Sequence, residues 1–361
     1  MNTIQAPLVC DFKDCNRTSI DLVGGKCASL GELINAGIRV PPGFAVTTEG
    51  FRGFVDGAGI QDAINQELIG IGGDDTVKLK AASVKIRGMI EAVEFSTELE
   101  DQIAECYRIL SVRCNVPAVP VAVRSSATAE DLPGASFAGQ QDTFLWIRGI
   151  EDVLDNTKKC FSSLYSARAI AYRIRMNFEH SEVAISVGIQ KMANSYAAGV
   201  MFTINPTSGD RSMILINSSF GFGEAVVSGE VTPDVFMVNK ISLDLVERTI
   251  TTKEVAYIVD HKTHASKLVD LPAERQNIQS IVDEEITELA RMGKIIEKHY
   301  GAPMDIEWAV DNDMAAGGNI FILQARPETV WANKKSKPVA GGNKTAMEHI
   351  LSSVMGGVKM Q

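Results

Sequence analysis

The stretch Val119-Pro120-Val121-Ala122-Val123-Arg124-Ser125-Ser126-Ala127-Thr128-Ala129-Glu130-Asp131-Leu132-Pro133-Gly134-Ala135-Ser136-Phe137-Ala138-Gly139-Gln140-Gln141 decides how this chain is read. An apolar β-run, Val119 to Arg124, ends at a permanently charged planar donor. It opens into a long segment of small and hydroxyl residues before the next strand, Asp142 to Ile147. Small side chains let an anion approach the backbone, and a guanidinium beside them suits phosphate oxygens. A loop of this length in a globular chain usually carries function.

Upstream, Gly24-Gly25-Lys26 precedes Ala28, Leu30, Leu33 and Ile34 at helical spacing, with Gly37 where a helix ends. Amides and an ammonium at a helix start favour phosphate. The same residues also fit a solvated lysine in a first turn. Neither GxxxxGK[ST] nor a full GxGxxG is present, since Gly221-Phe222-Gly223 continues with Glu224. Pro41-Pro42-Gly43 turns the chain into Phe44-Ala45-Val46, and Thr48 is the expected cap of the next helix. Asp56 to Val116 reads as helical, and one long helix is expected from Ile150 to Asn177.

Downstream of Val183 the pattern turns to strands: Ile185 to Met192, Gly199 to Ile204, Met213 to Asn217, Val235 to Val238 and Leu243 to Thr251. An amphipathic helix from Asn277 to Tyr300 follows, stopped by Gly301. Met304 to Val310 and Ile320 to Gln324 read as a hairpin. Strand parity groups Glu307 with Asp305 and Ala309, and Gln324 with Ile322 and Arg326. If Glu307 and Gln324 meet across the hairpin, their oxygens suit magnesium, and Arg326 suits a phosphate. Spacing alone leaves an ordinary half-buried strand equally open.

The 361 residues predict two or three compact units, and 45% apolar with 22% charged residues is ordinary globular composition. The charge balance, 35 − 45 = −10, argues against a nucleic-acid or anionic-membrane partner. Six cysteines without a CxxC pair, and five histidines at no zinc-finger spacing, are expected as free thiols and metal-free side chains. With no apolar run of about 18 residues and no basic, then apolar, N-terminal leader, a cytoplasmic protein is expected.

Val23-Gly24-Gly25-Lys26-Cys27-Ala28-Ser29-Leu30-Gly31-Glu32-Leu33, Val40-Pro41-Pro42-Gly43-Phe44 and Val123-Arg124-Ser125-Ser126 resemble the N-terminal nucleotide-binding domain of the phosphoenolpyruvate synthase and pyruvate phosphate dikinase family, which rifampicin phosphotransferase shares. Gly199-Val200-Met201-Phe202-Thr203, Gly221-Phe222-Gly223-Glu224, Asp305-Ile306-Glu307-Trp308 and Leu323-Gln324-Ala325-Arg326-Pro327 continue the match.

The resemblance implies an α/β (α+β), ATP-grasp-like fold with two subdomains clamping ATP. The expected division is residues 1–182, residues 183–330, and a basic glycine-rich tail over 331–361. By motif position, Lys26 and Arg124 hold phosphates, Gly139 and Thr143 belong to a loop over them, and Gln190 faces the adenine. Glu307 and Gln324 hold Mg2+, with Arg326 on the phosphates. Lys26, Arg124 and Arg326 are the expected catalytic charges.

In the family a swivelling domain carries a histidine that attacks the β-phosphorus, releasing AMP; the pyrophospho-histidine then loses phosphate to water. His349 sits in only a superficial echo of that motif, and His180, His261, His264 and His299 match none. The sequence therefore leads to a split dikinase whose phosphohistidine lies on a separate subunit, resembling phenylphosphate synthase, with phenol as the small acceptor. The alternatives are a phosphoenolpyruvate synthase-like or rifampicin-type ATP domain, or a non-catalytic nucleotide sensor.

Overall fold

The computed structural model describes residues 6–128, 131–132, 135–136, 142–180, 183–260 and 265–332. Gly139, His261, His264, His349 and the expected tail beyond residue 332 lie outside the described residues.

In chain order the first half runs β1 (Val9–Asp11), α1 (Ile20–Asn35), β2 (Gly43–Val46), α2 (Thr48–Ala58), α3 (Gln61–Leu68), α4 (Thr76–Glu91) and α5 (Thr97–Arg113). It continues through β3 (Val121–Ala127), β4 (Asp131–Leu132), β5 (Ala135–Ser136), β6 (Thr143–Ile147), α6 (Ile150–Ser163) and α7 (Ala167–Met176). The second half comprises β7 (Ile185–Lys191), β8 (Ser195–Phe202), β9 (Met213–Phe220), α8 (Glu224–Ser228), β10 (Asp234–Asn239) and β11 (Leu245–Thr249). Then come β12 (Val255–Asp260), β13 (Ala265–Asp270), α9 (Ala273–Gln276), α10 (Asp283–Tyr300), β14 (Met304–Asp311), β15 (Ile320–Pro327) and α11 (Thr329–Ala332).

Two antiparallel sheets organise these elements, ordered β1-β2-β7-β3-β6 and β11-β10-β9-β8-β14-β15, with β12-β13 and β4-β5 as separate hairpins. Apolar faces of α2 to α7 cover the first sheet, where the rings of Phe51 and Phe54 pack edge-on or tilted against Phe161 at centroid distances of 5.1 and 5.4 Å. Leu30 and Leu33 of α1, Ile286 and Leu289 of α10, and Trp308 share the second core. Helix α1 therefore belongs to both units: it packs on β3 and β7, and Ser29 Oγ donates to the Ala325 carbonyl at 2.8 Å. Acids in the first turn of α10 and Lys298 and His299 in its last complement the helix dipole, and Gly301 at φ +70° closes it.

Several expectations need correction. Strand β7 lies in the middle of the first sheet, so the sheets change over after Lys191 rather than after residue 182. The cap of α2 is Thr47, whose hydroxyl accepts from Gly50 N, while Thr48 is buried and donates to the Asp21 carbonyl. The helix expected to run to Asn177 breaks at Leu164 to Ser166, because the Ser166 hydroxyl caps a new helix by accepting from Ala169 N. Strand β3 continues through Ser125, Ser126 and Ala127, past the point where a loop was expected. The hairpin β12-β13 has no counterpart among the expected strands, and α10 begins at Asp283, not Asn277. All six cysteines are free thiols, as expected.

Candidate functional site

Ser125 and Ser126 are buried strand residues that hook helix α1 onto the first sheet. The Ser126 hydroxyl donates to the Val23 carbonyl at 2.8 Å and accepts from Cys27 N at 3.2 Å. Gly24 sits at φ +69°, where an added Cβ would lie 2.0 Å from the Ser126 carbonyl oxygen, so only glycine fits. The kink at Gly24 restarts the helix, leaving Lys26 in the first turn beyond it, with its ammonium 3.1 Å from the Ser125 carbonyl. Burial among these groups pushes the Cys27 thiol up to about 11.

From the same strand, Arg124 reaches across to the second sheet. Its guanidinium donates to Gln324 Oε1 at 2.9 Å, the Leu323 carbonyl at 3.2 Å and Gln190 Oε1 at 3.4 Å, and lies 3.8 Å from Glu307. Gln190 is buried in the centre of the first sheet and donates to the Pro41 carbonyl at 3.4 Å. Glu307 and Gln324 are cross-strand partners, as their expected meeting required. A bulge between Glu307 and Trp308 changes the parity reading. Ile322 pairs with Trp308 in the core, whereas Leu323 and Gln324 both reach Arg124, one by its carbonyl and the other by its side chain.

Between the sheets lies a cavity of about 640 Å³. Arg124, Thr143 and Gln190 line it from the first sheet, Glu307, Ala309 and Leu323 from the second, and Phe222, Glu224 and Tyr257 from the loops and hairpin above. Leu145, Met192, Phe222 and Leu323 give it an apolar slot of the kind that accepts a flat ring. A small crevice adjoins it, where Lys26, Phe12 and Gln324 meet Arg124 and Gln190. Thus Lys26, Arg124, Thr143, Gln190, Glu307 and Gln324 converge. Arg326 lies outside both cavities: it pairs with Asp305 at 2.8 Å near the end of the hairpin. Burial raises the Asp305 pKa against the pull of that guanidinium, and burial raises Glu224 likewise, with Glu230 adding to it.

Other contributors were not singled out from the sequence. Lys191 bridges to the fully buried Asp311 at 2.9 Å, joining β7 of the first sheet to β14 of the second beside the crossover. Its place directly after Gln190 is the signal in the sequence that could have found it. Gly221-Phe222-Gly223-Glu224 carried a motif match without a structural role. Gly221, at φ +78°, lets Phe222 N donate to the Tyr257 carbonyl at 2.8 Å, and the Phe222 ring packs 5.7 Å from Trp146. Among the described residues, no histidine lines the cleft.

Glu307 and Gln324 present hard oxygens to a single cationic group, the Arg124 guanidinium. A donor set that already gathers positive charge is compatible with Mg2+, which takes one or two protein oxygens and keeps other positions for water and phosphate. Among the described residues, no cluster of three or more His, Cys, Asp or Glu side chains forms a dedicated metal cage.

A family model described as pyruvate phosphate dikinase, AMP/ATP-binding domain, matches residues 20–347. A probable phosphoenolpyruvate synthase of Methanocaldococcus jannaschii is 46% identical over 90% of this chain and 27% of its own length. The phosphoenolpyruvate synthase of Neisseria meningitidis is 44% identical over 90% of this chain and 42% of its own length. That of Pyrococcus furiosus is 41% identical over 88% and 43%. The chain spans less than half the length of these relatives.

Proposed function

The chain belongs to the pyruvate phosphate dikinase AMP/ATP-binding domain family, and from that premise we propose that it is the ATP-handling part of a phosphoenolpyruvate synthase-like dikinase. The observation that carries this reading is the Arg124 guanidinium, which gathers oxygens from both sheets on the wall of one cleft.

In this reading Arg124 and Lys26 take the oxygens of the triphosphate, and the Gln190 amide meets the edge of the adenine. Leu145, Met192, Phe222 and Leu323 enclose the ring and exclude water. Glu307 and Gln324 would hold Mg2+, which supplies charge neutralisation along the phosphate chain when bound. Thr143, beside Arg124 in the register, borders the phosphate end. Arg326 has to exchange Asp305 for phosphate if it is to contribute.

Arg124 exchanges its carboxylate and amide partners for phosphate oxygens as nucleotide enters. Catalysis is then mostly placement and charge compensation. A histidine from protein outside this cleft attacks the β-phosphorus: the N–P bond forms, the Pα–O–Pβ bridge breaks, and AMP leaves with the electron pair. The names of the relatives favour the acceptor chemistry of a phosphoenolpyruvate synthase over phenol, and the carrier histidine fits either another part of one long polypeptide or a separate subunit.

Calorimetric titration with ATP and Mg2+ tests the site. Arg124→Met is expected to weaken binding about 100-fold, roughly 2.7 kcal/mol, with little change in the unfolding midpoint. Wild-type affinity in the variant would overturn the assignment. Chromatography should show AMP only when a histidine-bearing carrier domain is added; ADP from the isolated chain would point to an ordinary kinase.

A further inference from the structure

Cys10 and Cys15 flank the short turn Asp11-Phe12-Lys13-Asp14 that leads from β1 toward α1. The turn brings their sulfurs together: Cys15 Sγ donates to Cys10 Sγ at 3.6 Å and lies 3.4 Å from the Asp11 carbonyl, which Cys10 Sγ also approaches at 3.6 Å. Cys15 is fully buried and Cys10 partly exposed. Cys10 is therefore the more exposed of the two, with the Cys15 sulfur in contact with its own. The hydrogen bond from Cys15 draws the Cys10 thiol below its ordinary pKa despite burial and the nearby Asp14 and Asp11, and the same contact, with burial, raises Cys15. Cys10 thus has the greater thiolate character, and Asp11 is itself engaged by Arg113 at 2.9 Å.

We propose that Cys10 and Cys15 are a redox-active pair that closes a reversible intrachain disulfide by exchange with a small-molecule disulfide such as oxidised glutathione. The Cys10 thiolate attacks one sulfur of the oxidant, forming a mixed disulfide and expelling one glutathione thiolate. Cys15 gives up its proton to solvent or to that departing thiolate and attacks Cys10 Sγ, expelling the second. The protein loses two electrons and two protons, and the oxidant becomes two thiols.

Closing the bond to about 2.05 Å requires only a modest approach from 3.6 Å. The resolving thiol is already in contact, so proximity compensates for its poor ionisation. The location gives the bond leverage. Phe12, between the two cysteines, is fully buried and lines the crevice shared with Lys26 and Arg124. The Cys15 carbonyl lies against Gly31 of α1, where an added Cβ would sit 2.3 Å away.

The test is incubation of the full chain with oxidised glutathione at mildly alkaline pH, followed by alkylation of remaining thiols, digestion and mass spectrometry. The expected product is a single cross-link joining Cys10 to Cys15, with the other four cysteines alkylated and the cross-link removed by dithiothreitol. Cys15→Ser, or Cys15→Ala if serine is poorly folded in that buried position, should instead accumulate glutathione on Cys10. Full alkylation of both thiols in the wild type, or a cross-link to a different cysteine, would overturn the proposal. Failure of both Cys15 variants to trap glutathione at Cys10 would overturn the assigned order of attack. None of these readouts depends on nucleotide.

Discussion

Two charged clusters in this molecule use similar groups to opposite ends. Lys253 and Asp234 are 0% and 0% exposed and 2.6 Å apart, inside a network of further hydrogen bonds. Asp234 accepts from Thr251 N at 3.0 Å, from Ser280 N at 2.9 Å and from the Ser280 hydroxyl at 2.8 Å, while Lys253 also donates to the Thr251 carbonyl at 2.9 Å. Arg124 and Glu307 are 18% and 29% exposed, border an open cavity, and stand 3.8 Å apart. A sealed pair held by several hydrogen bonds is committed to the fold. A loose one beside a cavity keeps donors and acceptors that can change partners, as binding a charged substrate demands.

The contrast breaks most visibly at Lys253. Lys253→Met leaves a carboxylate buried without its cation, at an expected cost of about 3–5 kcal/mol. Urea unfolding measures it. ATP affinity under folding conditions should be nearly unchanged, the reverse of the pattern expected for Arg124→Met. A drop in affinity with unchanged stability would exchange the roles of the two clusters.

Glu307→Gln gives a smaller effect. It keeps the shape but removes the negative charge facing Arg124, and with it the carboxylate proposed to hold Mg2+. About a tenfold higher Mg2+ requirement, near 1.4 kcal/mol, should appear in ATP titrations at several metal concentrations. Equal metal dependence in variant and wild type would remove Glu307 from the metal site.

The smallest effect sharpens the comparison with a third kind of pair. Arg173 is buried and donates to Nδ1 of His180 at 2.9 Å, a cation bonded to a neutral base. Burial lowers His180 to about 4, and the charge of Arg173 adds to this; burial also lowers Arg173 to about 10. Since the unfolded histidine titrates near 6.5, the unfolded chain holds more protons between that value and about 4. Stability is therefore lost as pH falls through this window and is unaffected above it. Melting curves from pH 7.5 to 4.5 should show a decline that His180→Gln lessens. An identical decline in the variant would assign it to other groups.

The parts of this architecture that sequence made legible are those whose residue types are demanding. Arg124, Gln190, Glu307 and Gln324 carry polar chemistry at strand positions, and the structure brings these four together. The bulge was invisible because strict alternation says nothing about an extra residue, so Ile322 was placed on the wrong face. Ser125 and Ser126 were read as loop because hydroxyl residues favour turns, but here their strand pairing and the docking of α1 outweigh that preference. The change to β texture after Val183 was real, yet it could not reveal which sheet β7 joins, since pairing partners lie far away in sequence. Arg326 matched a motif, and only coordinates reveal its engagement with Asp305.

The central place of β7 has a consequence for biosynthesis. Until the ribosome has delivered residue 191, strands β2 and β3 each present an open edge where β7 will insert. Unpaired edges of this kind invite intermolecular pairing. A fragment truncated at residue 182 should accordingly sediment as aggregate, while translation that pauses after β7 has emerged should yield a protease-resistant nascent domain.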